Sequence, residues 1–192
     1  MGKRPGVRRR GRGGMQFRAA ATQKLKPAKY PSFSLDEERK GEIIDLVHES
    51  GRDVPLSKVR FEDGAISFIP APLGTKVGQR ISFGLNSEII DGNVISIQNI
   101  PDGTIVCNVE KQFGDGGSFI KTAGADATVF SHADDGVILK LASGKFKKLN
   151  PKNRAMIGTL AGGGVEDRPF MRAGVKMMRF KSKGQKYPIV RG

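Results

Sequence analysis

Two histidines, His48 and His132, and one cysteine, Cys107, are the side chains best suited to nucleophilic or proton-transfer chemistry. They are far apart in sequence, and neither histidine stands in a spacing that makes a metal site. Cys107 lies between Val106 and Val109 in an apolar alternation, the setting of a buried, inert thiol. His132 lies beside a turn, as an exposed imidazole. Asp134 and Asp135 directly precede Gly136, which is turn chemistry and not an acid/base pair. No residue is assigned a catalytic role, no metal or cofactor site is expected, and the chain is not read as an enzyme.

Phosphate binding is the next chemistry to weigh. Gly114-Asp115-Gly116-Gly117 lacks the Gly-Lys-Ser/Thr ending of a nucleotide-binding loop and precedes a strand, not a helix. A mononucleotide site is therefore set aside. Gly116 and Gly117 remain candidates for close approach of backbone amides to RNA phosphates, since no Cβ intervenes; a plain loop needing positive φ accounts for them equally well.

The termini carry the strongest signal. Residues 1–30 hold ten Lys/Arg and no Asp/Glu, and residues 168–192 hold eight more, again without an acid. All nineteen acids of the chain fall between them, and the formal net charge is +14. A mildly acidic centre flanked by basic arms is a layout for gripping a polyanion. Val7-Arg8-Arg9-Arg10-Gly11-Arg12-Gly13-Gly14 interleaves arginine with glycine. Arginine supplies a planar fork for phosphate oxygens and stacks on bases, while glycine lets the backbone thread narrow grooves. The C-terminal arm sets Phe180 and Tyr187 among lysines and arginines, which suits stacking on unpaired nucleotides. Each phosphate neutralised steepens the log–log salt dependence of binding by about 0.7 to 0.9, and affinity of this kind is largely indifferent to sequence. Specificity must then come from the shape of a folded RNA.

The remaining residues must fold to position these arms. A chain of 192 residues suits one domain or two small ones. Both arms lack apolar periodicity and are expected to be disordered without a partner. The single cysteine rules out an internal disulfide, and with no secretory signal favours a reducing, intracellular compartment. No apolar run approaches the ~20 residues that span a bilayer.

The centre reads as β throughout. Strands are expected at Glu42 to His48, Ser57 to Glu62, from Ile66 to Phe68 after the Asp63-Gly64 turn, and at Gln79 to Phe83. A second group follows: Thr104 to Val109, then a meander of Ala125 to Ser131, Val137 to Leu141 and Lys145 to Leu149, and finally Ala155 to Leu160. Helix signals are weak, with a capping-box pattern at Ser34 to Glu37 and one short turn at Asn150 to Arg154. The expected fold class is all-β: two small barrels joined near Ile89 to Pro101.

These residues also carry a resemblance. Gly11-Arg12-Gly13, Phe17-Arg18-Ala19, the run from Ile100 to Glu110, Gly114 to Gly117, Ala123-Gly124, Leu141 to Gly144, Asn153 to Gly158 and Val190-Arg191-Gly192 stand in family order over nearly the whole chain. The chain resembles the universal second protein of the large ribosomal subunit in its archaeal and eukaryotic form. The resemblance implies an OB-fold barrel followed by an SH3-like barrel, with extended basic N- and C-terminal arms. It places the N-terminal arm at 1–34, the OB-fold barrel at 35–95, the SH3-like barrel at 96–167 and the C-terminal arm at 168–192.

It further implies binding to 23S-type ribosomal RNA, support of subunit assembly, subunit association and the peptidyl-transferase region, neighbouring large-subunit proteins, contact to the small subunit, and a place in cytoplasmic ribosomes. Mg²⁺ enters only indirectly, through the RNA. Arg52, Lys121 and Arg154 match family RNA-contact positions. At Lys121 bacterial members often carry arginine, and lysine keeps the charge but loses the fork. The candidate RNA-binding residues are then Arg4, Arg8, Arg9, Arg10, Arg12, Arg18, Arg52, Gly116, Gly117, Lys121, Arg154, Arg172, Lys176, Arg179, Lys181, Lys183, Lys186 and Arg191. The family continues past the motif at Val190 to Gly192 into an extension bearing a histidine discussed for peptidyl transfer, which has no counterpart in these residues. A free OB/SH3-type RNA-binding protein or RNA chaperone is the competing reading, and needs a stacking platform from Phe61, Phe68 and Phe83.

Overall fold

Ten β-strands and one α-helix are described in the computed structural model, which covers residues 9–32, 38–84, 87–133 and 135–188. The strands are β1 (Arg39–Val47), β2 (Leu56–Phe61), β3 (Ile66–Pro70), β4 (Arg80–Gly84), β5 (Val94–Ser96), β6 (Ile105–Cys107), β7 (Ala127–Ala133), β8 (Gly136–Leu141), β9 (Phe146–Leu149) and β10 (Arg154–Ile157). The expected fold class, all-β, is the observed one. The strands form one sheet in the order β3-β2-β1-β4-β5-β10-β6-β7-β8-β9. All neighbours are antiparallel except β4 and β5.

Two apolar cores share that sheet, and the side-chain alternation explains how. Ile43, Val59, Phe61, Ile69, Ile81 and Phe83 line the first. Val129, Val137, Leu139 and Leu149 line the second. Between them the strands serve both. Val94, Cys107 and Met156 point into the first core, while their chain neighbours Ile95, Val106, Ala155 and Ile157 point into the second. Every residue of β5 and β10 is consequently buried. A strand buried on both faces has no polar alternation to reveal it. Hence β5, within the interval expected to join the barrels, was absent from the expected strands.

The first core also takes residues from the basic N-terminal run. Ala28 bridges Phe68 in parallel, and the amide of Lys29 donates to the carbonyl of Phe68 at 3.1 Å. Ala28 and Tyr30 are both buried. The Tyr30 ring meets Phe83 edge-on at 6.2 Å, and its hydroxyl donates to the carbonyl of Asn108. Charge alone assigns these residues to the arm, but their packing assigns them to the β body.

A compact unit comprising Lys26–His48 and Asp53–Val165 contains both cores. A second unit draws on Met1–Leu25, Glu49–Arg52 and Glu166–Gly192. Here the structure departs from the expectation of disordered arms, because Ala173–Ser182 forms α1. Its residues are mostly good helix formers. Gly184 ends it at φ +70, with its amide donating to the carbonyl of Lys181 at 3.0 Å and that of Gln185 to Phe180 at 2.8 Å. Those two bonds are a Schellman cap. Within this unit Gly184 packs on the backbone of Phe17 to Ala19, and Gly51 on the carbonyl of Ser182. The capping-box pattern at Ser34 to Glu37 lies outside the described residues, and Asn150 to Arg154 holds a turn without a helix.

Candidate nucleic-acid interface

The glycine loop does cradle anions, but they are the protein's own carboxylates. Asp115 Oδ2 accepts from the amides of Lys111 at 3.0 Å and Gln112 at 3.3 Å and from the Ser118 hydroxyl, while Oδ1 accepts from the amide of Gly117 at 2.9 Å. Partial burial raises the Asp115 pKa, but these hydrogen bonds outweigh it, and the carboxyl sits below its ordinary value. The amide of Gly116 donates to Glu110 Oε1 at 3.0 Å. Gly116 and Gly117 are buried with φ of +80 and +84. A Cβ on either would meet Lys29 or Asn108, so the closeness that glycine permits is to protein.

Arg154 belongs to the same assembly. Its Nη2 donates to Glu110 Oε1 at 2.6 Å and its Nη1 to the carbonyl of Pro31 at 3.1 Å, while its amide donates to Glu110 Oε2 at 3.0 Å. The guanidinium lies over the rings of Tyr30 and Phe113, 5.6 and 5.8 Å from their centroids. Glu110 is 0% exposed and Arg154 3%. Lys121 makes a parallel tie, its Nζ donating to the carbonyls of Ala28 at 2.6 Å and Gly117 at 2.8 Å. Gly116, Gly117, Lys121 and Arg154 are thus brought together, around residues 28–31, and clamp that segment to the β body.

The arms present their cations differently. Arg9, Arg10, Arg12, Arg18, Arg172, Lys181, Lys183 and Lys186 are exposed, and Lys176 and Arg179 are half-buried. Lys176 Nζ lies 5.8 Å from the Phe170 ring centroid and 5.3 Å from that of Tyr187, while the Arg179 guanidinium lies 5.3 Å from Phe170. Phe180 and Tyr187 pack against each other at 5.4 Å. The arm's aromatics therefore organise its own cations. Arg52 pairs with the buried Glu49. Arg4, Arg8 and Arg191 lie outside the described residues.

Comparison with known proteins decides the family. A family model described as "Ribosomal Proteins L2, C-terminal domain" matches residues 90–192. Proteins named large ribosomal subunit protein uL2 match along the whole chain, covering 79% of the relative in each of two cases: 71% identity in Cenarchaeum symbiosum and 70% in Nitrosopumilus maritimus. That of Korarchaeum cryptofilum is 44% identical, also over the whole chain and 78% of its own length. The chain belongs to the uL2 family. This is a family of structural proteins, not of enzymes.

The side chains suited to catalysis are dispersed in this uL2-family chain. His48 is exposed, and His132 Nδ1 lies 2.7 Å from Asp102 Oδ1. Cys107 is fully buried, and burial, reinforced by Asp126 and Asp91, pushes its thiol pKa up to about 12. No group of three His, Cys, Asp or Glu suited to a metal ion occurs among the described residues. Sequence reasoning missed Glu110 and Tyr30. Neither stands out locally: Glu110 follows the last residue of an expected strand, and Tyr30 closes an acid-free basic run.

Proposed function

We propose that this chain is a structural constituent of the large ribosomal subunit, where it binds folded 23S-type ribosomal RNA through its two basic arms without side-chain catalysis. The observation that carries this reading is the segregation of eighteen bases into two acid-free ends of a uL2-family chain. Exposed arm cations face solvent, where the phosphates of an RNA backbone can reach them. The β body contributes shape, and the clamp around Glu110 and Arg154 holds residues 28–31, at the root of the N-terminal arm, against it. On this reading Arg9, Arg10, Arg12, Arg18, Arg172, Lys181, Lys183 and Lys186 carry phosphate contacts, and Arg154 acts by positioning. Support of assembly, subunit association and the peptidyl-transferase region, with neighbouring ribosomal proteins as partners in the cytoplasmic ribosome, belong to the same proposal.

The competing reading, a free single-strand binder, needs a stacking platform from Phe61, Phe68 and Phe83, of which Phe61 and Phe83 are buried in the first core and Phe68 is half-buried. Sedimentation tests the proposal. A tagged chain should travel with large subunits through a sucrose gradient after a high-salt wash. A chain left entirely at the top of the gradient overturns it.

A further inference from the structure

The solvent face of the β7–β8–β9 meander carries an aromatic pair that the arms and the clamp leave unused. Phe130 and Phe146 are each 55% exposed, yet their rings meet edge to face with centroids 4.9 Å apart. Neither ring fills a core. That task falls to Val129, Val137, Leu139 and Leu149 on the opposite face. Phe130 sits where the β7–β8 register shifts between Val129 and Ser131, and a bulge of this kind re-aims a side chain. Phe146 stands opposite Lys140, which stands opposite Thr128 on the other side. Lys148 pairs with Ile138 two residues along the same face, with its ammonium on Asp135. From Val137 to Leu149 the chain has four lysines and no acid.

We infer that this face is a stacking surface for unpaired nucleotides of an RNA strand, with a base on the ring of Phe146 or Phe130 and a flanking phosphate on Lys140. The inference rests on the RNA-binding reading above and adds a contact of a different kind. The arms neutralise phosphates whatever the RNA conformation, whereas a ring face selects bases free to unstack. Charge complementarity favours a polyanion as the occupant. The composition of the face favours a nucleic acid over an acidic protein: besides Ile138 and the exposed Ile105, the rings are set among hydroxyls and lysines, and Thr128 and Lys140 stand between Ile105 and Phe146 in their row.

The test uses the full chain, a short single-stranded oligouridine and an RNA duplex of equal length, at raised salt. Phe130→Ala with Phe146→Ala should weaken oligouridine binding about tenfold, and leave duplex binding and its salt slope unchanged. Both residues are exposed, so the thermal transition should barely move. Ultraviolet cross-linking of bromouridine-substituted oligouridine to the unmutated chain should mark peptides containing Phe130 or Phe146. Equal oligouridine affinity in variant and parent, or cross-links confined to the arms, overturns the stacking surface while leaving arm binding to folded ribosomal RNA intact. A variant with unchanged RNA binding that loses an acidic protein partner reassigns the face to protein docking. A parent chain that binds neither oligouridine nor folded ribosomal RNA removes both readings.

Discussion

The guanidinium of Arg154 donates to the carboxylate of Glu110 across 2.6 Å inside the protein, with essentially no solvent on either side chain. Two charges buried together are tolerable because each also satisfies backbone: Glu110 accepts from the amides of Gly116 and Arg154, and Arg154 donates to the carbonyl of Pro31. The pair joins β10, the glycine loop and the N-terminal segment at one point. Replacing Glu110 by Ala should therefore cost about 3–5 kcal/mol, the cost of an orphaned buried charge. Replacing both residues by Met should cost less than that single change. Denaturant midpoints of the three proteins check this, and a double variant weaker than Glu110→Ala would contradict it.

The two kinds of positive-φ glycine should behave differently. Gly144 has φ +78 with open space around it, so Gly144→Ala should cost about 1 kcal/mol from backbone strain alone. At Gly117, φ +84, a Cβ would sit 2.5 Å from Asn108 Oδ1 and 2.9 Å from its carbonyl oxygen. Gly117→Ala should cost roughly 3 kcal/mol, strain and overlap together. Thermal melts of the two variants measure the difference.

Alkaline pH should destabilise the fold through Cys107. Its folded pKa is raised to about 12 from an ordinary 9.0, so the stability it contributes is complete below pH 9 and is lost as pH rises toward 12. Over that window the slope approaches roughly 1.4 kcal/mol per pH unit for this one group. Burial raises the Tyr30 hydroxyl as well, which adds loss in the same direction. The Cys107→Ala protein should show a shallower decline. Thiol reagents should leave Cys107 unmodified at neutral pH until the protein unfolds.

Limited trypsin digestion without RNA should reveal the true root of the N-terminal arm. The amides of Lys29 and Tyr30 are held by the carbonyls of Phe68 and Gly116 at 3.1 and 2.9 Å. The stable fragment should thus begin at Leu25, after Lys24, and cleavage after Lys29 should be slow. A fragment starting at Tyr30 would show the segment to be unclamped in solution.

Arm arginines should act through counterion release. Changing Arg9, Arg10 and Arg12 together to Ala should lower the log–log salt slope of binding to large-subunit RNA by about 2 to 3. Changing Arg154 should alter that slope little while lowering stability, because its guanidinium faces protein.

The legible parts were those where one residue type alternates with another or accumulates. Val59 and Phe61 against Lys58 and Arg60 announce a half-buried strand, and β2 is there. Ser143-Gly144 announces the β8–β9 turn, and the amide of Gly144 does donate to the carbonyl of Leu141 at 2.8 Å. The same alternation flagged Cys107 as a buried thiol. The illegible parts were those set by partners distant in sequence. Val94-Ile95-Ser96 has no alternation because both its faces are covered. Arginines at 154 and at 12 look alike as letters, yet one meets Glu110, 44 residues away, and the other meets water.

By itself, then, the amino-acid order determined an all-β body, acid-free ends and a family, since periodicity, charge runs and motif order are local properties of a chain. Only the tertiary structure decided which cations remain available to a polyanion. Availability depends on whether a carboxylate, carbonyl or ring from elsewhere in the chain already occupies the charge, and folding alone brings those groups within reach.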